Sequence, residues 1–207
     1  RGRRLCYLGP GTGLGGGFAS VGPTGQVDVR TDGHIFDIIV EPSGVTLSIV
    51  LRGQIAAIHR SGTAEELVSG KAIAAMMTEV DAALSRGGQS PLFSPLGPAG
   101  GLLLDRCLAG SVGGETEQDV AHQMARFAGR MLGRVMEKIY RGQIAKSDPR
   151  AAWPEEDIQF VRGIVTFLLG GSVPRGKAGD VLRESALSEL AERVPGVGFS
   201  LLSPPSE

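Results

Sequence analysis

The sequence predicts an α/β protein in which a β-meander is followed by helices that alternate with strands. Three observations carry that reading. Glycine is crowded between Gly9 and Gly25, in a chain with 32 glycines, and strand-like segments flank the stretch. Residues 116–140 place Val120, Met124, Phe127, Met131, Leu132, Val135 and Ile139 on one helical stripe. Residues 164–169 form an apolar run with β-branched content, stopped by Gly170-Gly171, as expected of a buried strand.

Taken in order, residues 4–8 read as a strand entering the glycine stretch, and residues 15–21 as the second arm of a hairpin leaving it. Further strands are expected at 34–41 and 45–51, joined by the turn residues Pro42-Ser43-Gly44. A helix is predicted from Thr63, because Leu67, Ile73, Met76, Met77, Val80 and Leu84 recur at helical spacing. Ser61 or Thr63 caps its start, Glu65 and Glu66 suit its first turn, and Gly87-Gly88 ends it. Residues 91–101 read as a loop punctuated by proline and glycine, and residues 102–108 as a short helix or a strand. After the long helix, the polar connection 146–154 leads to a short helix opened by Glu155, Glu156 and Asp157. The apolar strand, a helix at 179–193 and a strand at 198–202 complete the order.

A chain of 207 residues, 42% apolar, is long enough to bury a core as one domain. Its 21 basic and 22 acidic residues are spread along the chain and give no footprint for a polyanion, so nucleic acid is not an expected partner. Arg1, Arg3 and Arg4 read as a solvated terminus. No apolar run approaches the roughly 20 residues of a membrane helix, and there is no secretory h-region, so no membrane association is expected. The chain opens without Met, which suggests a segment of something longer. Cys6 and Cys107 lack metal-type spacing and read as small buried residues of a reducing, cytoplasmic protein.

The chemistry is concentrated in Leu8-Gly9-Pro10-Gly11-Thr12-Gly13-Leu14-Gly15-Gly16-Gly17. There a backbone free of Cβ atoms can approach a ligand, and its N–H groups with the Thr12 hydroxyl can cradle phosphate oxygens. No Lys follows as in a P-loop, and no helix opens directly behind as in a Rossmann turn. A hairpin phosphate clamp fits better; a merely tight or flexible loop is the alternative.

The stretch 9–17 resembles the second phosphate motif of glucokinases and ROK kinases, members of the actin/hexokinase/Hsp70 superfamily. Glu65-Glu66-Leu67-Val68-Ser69-Gly70-Lys71-Ala72-Ile73 looks like the family's "E-x-x-S-G-x-A-I" helix start. Residues 121–133 resemble the long helix under the nucleotide, and residues 167–173 are similar to the strand and "GG" turn of the adenosine motif. The resemblance implies a ribonuclease-H-like lobe: residues 1–207 as the single C-terminal, large lobe of a sugar kinase-like protein, without its N-terminal lobe. It implies ATP-dependent phosphorylation of a hexose with Mg2+. Gly11, Thr12, Gly13 and Gly15 would hold the β- and γ-phosphates, while Gly170, Gly171 and Ser172 would border the adenosine.

Such kinases take their catalytic aspartate from the first lobe, upstream of this motif, so the chain alone is expected to be inactive. Thr31-Asp32-Gly33-His34 resembles the family's "E-x-G-H" sugar element, with Thr31 at the Glu position; His34, and Asp32 if the backbone shifts, would contact the sugar. His59 and His122 read as surface residues. Between 51 and 64 there is no Cys, so the family's zinc site is not expected, which points to the zinc-free glucokinase branch or a divergent member. The missing lobe or a partner chain, and a second copy in a homodimer, are the expected partners. A sugar-sensing regulatory module and a catalytically dead structural module of the same fold are the alternatives.

Overall fold

The computed structural model describes residues 2–30, 34–84, 100–111 and 113–203. β1 (Arg3–Pro10) and β2 (Leu14–Val21) form the hairpin expected around the glycine stretch, in a register that pairs Gly9 with Gly15 and Pro10 with Leu14. β3 (Val27–Arg30) extends it antiparallel to β2. On the other side β6 (Thr166–Leu169) lies parallel to β1, and β7 (Ser200–Leu202) parallel to β6. The result is a five-stranded mixed sheet of order β3-β2-β1-β6-β7. Cys6, Leu8, Phe167 and Leu169 alternate onto its buried face, whereas Tyr7 on the opposite face is 40% exposed.

A separate two-stranded ribbon follows, β4 (Val45–Leu51) and β5 (Gln54–Arg60). β4 has the bounds expected from the sequence. No strand occupies 34–41. His34 is left-handed at φ 51, Ile35–Asp37 is a 3-10 turn, and Ile38 and Ile39 make only single bridges, to Lys146 and Thr63. The β-branched content suggested a strand, but Ile35, Ile38 and Val40 are all buried, a spacing of three and then two that a strand's alternation cannot satisfy.

The helix expected from Thr63 is two helices, α1 (Ala64–Val68) and α2 (Gly70–Leu84). Ser69 between them is extended, and its hydroxyl accepts the Ala72 N–H at 3.1 Å, so the true cap is internal to the expected helix. Thr63 occupies the first N-cap position but gives its hydroxyl to Glu66 and caps no backbone group. The proposed stop at Gly87-Gly88 and most of the 91–101 loop lie outside the described residues. The ambiguous segment 102–108 belongs to a helix, α3 (Gly100–Leu108).

α4 (Glu115–Arg141), the long helix, ends on Gly142 at φ 66, the left-handed cap that glycine supplies. It packs most extensively on α6 (Gly176–Arg193), which begins three residues earlier than expected. Contact is close because Gly129 and Gly133 face that helix: a Cβ on either would come within 2.4 Å of the Leu182 carbonyl oxygen or 2.7 Å of that of Ala186. α5 (Glu155–Val161) sits where its acidic start was expected. No described helix is long and apolar enough to cross a membrane.

Candidate functional site

Both glycine turns stand at the carboxyl ends of adjacent parallel strands, β1 and β6, where open α/β sheets bind ligands. The first turn, Gly11-Thr12-Gly13, is closed by a bond from the Gly11 N–H to the Gly13 carbonyl at 2.8 Å. It is bolted from behind to α2: the Gly11 carbonyl accepts from the Gly70 N–H at 2.6 Å, and that of Thr12 from the Lys71 N–H at 3.1 Å. The first N–H groups of a helix lack intrahelical partners, so the turn satisfies them and is fixed in return. The N–H groups of Thr12 and Gly13 find no acceptor among the described residues and remain donors for a ligand.

The second turn touches the first. Gly170 donates to the Leu8 carbonyl at 2.9 Å and Val173 to that of Pro10 at 3.0 Å. Gly171 has φ 81, and a Cβ there would sit 2.5 Å from the Pro10 carbonyl oxygen and 3.1 Å from the Gly11 nitrogen. Only glycine meets both demands. Ser172 follows directly, and Arg175 Nε is anchored to the Gly171 carbonyl at 3.1 Å. Thus Gly11, Thr12, Gly13, Gly170, Gly171 and Ser172, more than 150 positions apart in two sets, are brought to one place, with Gly15 paired to Gly9 at its edge.

An open groove of about 480 Å3 lies over the first turn, lined by Gly9, Gly11, Thr12, Gly13, Leu14, Gly15, Phe36 and Glu65. The Glu65 carboxylate is a feature that sequence reasoning missed, since it was assigned only to the helix dipole. A Cβ on Gly13 would be 2.7 Å from its Oε1. Tyr7 was also missed. Its ring lies across Gly9 and Gly170, where added Cβ atoms would come within 2.6 and 2.3 Å of the hydroxyl. The available signal was register: an aromatic two residues before a glycine on one strand, with a glycine opposite on the next. His34 is exposed and its ring lies 5.3 Å from that of Phe36, which places it beside the groove. Asp32 lies outside the described residues.

Among the described residues there is no group of three or more His, Cys, Asp or Glu that would cage a metal. The groove offers one carboxylate and one hydroxyl, Glu65 and Thr12, which suits an ion that keeps its waters and binds chiefly through phosphate oxygens, as Mg2+ does. Cys6 and Cys107 are both fully buried, and burial pushes both thiols up, which leaves them inert.

The sheet order, the two crossovers and the glycine turns at neighbouring strand ends define the chain as having the ROK/actin-hexokinase fold. Solved structures agree with it. The chain is similar to a ROK family glucokinase from Streptomyces griseus, crystallised with glucose and AMPPNP, at a TM-score of 0.52 and 17% identity, over 98% of this chain and 55% of that one. It is similar to a ROK hexokinase from Thermus thermophilus at a TM-score of 0.51 and 17% identity, over 98% of this chain and 52% of the other. The chain therefore spans about half the length of these kinases. No family model matches the sequence, and no curated protein matches it.

Proposed function

We propose that the chain is the nucleotide-binding lobe of an ATP-dependent hexose kinase. The observation that carries this is the contact between the two glycine turns: one bares N–H groups for phosphates, and the other brings the backbone of Gly171 against it. MgATP, when bound, supplies the phosphoryl group that passes to a sugar hydroxyl. This chain's share is to position. The N–H groups of Thr12 and Gly13 and the Thr12 hydroxyl hold the β- and γ-phosphates, with Gly11 and Gly15 giving the backbone its close approach. Gly170, Gly171 and Ser172 border the adenosine. Glu65 faces the same groove and accepts hydrogen bonds from a sugar hydroxyl or from metal-bound water, and His34 flanks the sugar side; a sugar contact by Asp32 rests on the sequence resemblance alone. The base that deprotonates the hydroxyl comes from the missing lobe or a partner chain, in keeping with a match to about half of each kinase.

Calorimetric titration with MgADP tests this. The wild-type chain is expected to bind saturably. Thr12→Ala should bind about tenfold more weakly, the value of one or two hydrogen bonds to a charged group, while its urea midpoint stays unchanged. Equal affinity in the two proteins would remove the clamp. Absence of binding in both would favour a regulatory or structural module, for which Tyr7 lying over the strip between the turns is the supporting observation.

A further inference from the structure

We propose that the outer edge of β4 receives an extended peptide as an added strand, in the groove between α4 and α6. The ribbon β4–β5 turns through Arg52 and Gly53, both left-handed at φ 48 and 79, which makes Leu51 and Gln54 the closing pair. In such a two-residue hairpin the next pair, Val50 and Ile55, is the kind whose N–H and C=O point away from the partner strand. Val50 shows that this edge accepts a partner. Its N–H donates to Gln123 Oε1 at 3.0 Å, and its carbonyl accepts from Gln123 Nε2 at 3.0 Å. The side-chain amide of α4 makes the two bonds that one residue of a neighbouring strand would make.

Because the period of a strand is two, Ser48 and Thr46 turn their N–H and C=O groups to the same side as Val50. Among the described residues, none of those four groups has a backbone partner. Ser48 and Thr46 line a groove of about 910 Å3, with Arg126 and Phe127 of α4 and Glu184 and Ser188 of α6 also in its lining. An unpaired strand edge in a walled groove is the arrangement that binds peptides by strand addition, backbone to backbone. The walls select its chemistry. Arg126 forms no ion pair among the described residues, and Glu184 stands in the lining with it, so the groove matches a polar peptide carrying both signs of charge and not a polyanion or an apolar segment.

The probe is the acetylated, amidated heptapeptide Thr-Glu-Val-Lys-Val-Glu-Thr, titrated into the 15N-labelled 207-residue chain. Saturable shifts centred on β4 are expected, together with about tenfold slower exchange of the Thr46 and Ser48 amides. The same peptide N-methylated at alternate residues should bind about tenfold more weakly. Ser48→Pro removes an outward N–H without touching the β4–β5 ladder, so it should abolish binding while the melting temperature is kept. Should that variant fail to fold, Arg126→Glu and the N-methylated peptide decide instead, both with loss of affinity expected. Absence of saturable binding would overturn the proposal. So would shifts that avoid Thr46 and Ser48, or protection of those amides that grows with protein concentration and needs no peptide.

Discussion

Two regions of the molecule solve the problem of close approach in opposite ways. At the paired turns, backbone meets backbone, and the contact exists because Gly171 has no side chain. Along the α4–α6 seam, Gly129 and Gly133 bring the helices together, but side chains then lock them. Glu189, 4% exposed, accepts from Arg130 at 2.9 Å, Arg134 at 2.8 Å and Arg193 at 2.6 Å. Arg134 continues to Glu41 at 2.7 Å, and Arg193 to Glu137 at 3.1 Å. The first region gives up side chains so that two backbone turns can touch, and the second uses them to hold α4 against α6. Stability and ligand binding should therefore separate by region.

The largest effect is expected at the seam. Glu189→Ala removes the acceptor that three guanidinium groups share, although Arg134 keeps Glu41 and Arg193 keeps Glu137; breaking a buried pair costs about 3–5 kcal/mol. The lower end applies, because the Arg130 side chain stays 57% exposed. Urea unfolding at pH 7 should report it, with nucleotide affinity unchanged in whatever fraction is folded. The same carboxylate sets an acid dependence. Burial alone would raise its pKa, but hydrogen bonds from Arg130, Arg193 and Arg134 outweigh that and hold it at about 2. A depressed carboxylate contributes stability that is complete above its unfolded value, roughly 4.3, and is lost as pH falls toward the folded one. Wild type should lose stability between pH 4.5 and 2, and Glu189→Gln should flatten that slope. A slope identical in the two proteins would place the acid sensitivity elsewhere.

Gly171→Ala comes next and should cross the regions. An alanine forced to φ 81 costs about 1–2 kcal/mol, and its Cβ also collides with the Pro10 carbonyl. About 2 kcal/mol of stability and most of the MgADP affinity should go together, since the collision pushes the second turn off the first. Loss of stability with affinity intact would show that the turns need not touch for nucleotide to bind.

The same division explains what the sequence discloses. Glycines that serve backbone geometry are conspicuous in a row, so the β1–β2 hairpin and the Gly170-Gly171 turn were legible before any coordinates. β5 was not, because its hairpin turns on Arg52-Gly53, without the Asn-Gly or Asp-Gly signal, although Gln54 to Arg60 alternates acceptably. The break at Ser69 was hidden by apolar spacing that continues through it, from Leu67 to Ile73. The ion network was invisible for a different reason. Apart from Glu189 and Arg193, four positions apart on one helix, its pairs join residues 55 to 93 positions apart, and no local pattern in a charged, outward-looking helix face says which of those arginines will meet which glutamate. Glu65 and Tyr7 fall between these cases, each ordinary in its own segment and informative only once the register places it against a glycine.

The smallest effect tests the join between the regions. Ser69 is 1% exposed and caps α2, and α2 in turn bonds the carbonyls of Gly11 and Thr12. Ser69→Ala removes one cap, worth about 1 kcal/mol, and leaves the Ala72 N–H without its acceptor. If the Gly11-Thr12-Gly13 turn takes its rigidity from α2, the frayed helix start loosens the turn, and MgADP affinity should fall several-fold more than in a seam variant of equal instability. A Gly133→Ala protein supplies that control, because it strains the α4–α6 contact and touches neither turn. Equal affinities at matched stability would mean that the turn is held by its own hairpin and by Gly171 alone, and that the bolt to α2 serves only the helix.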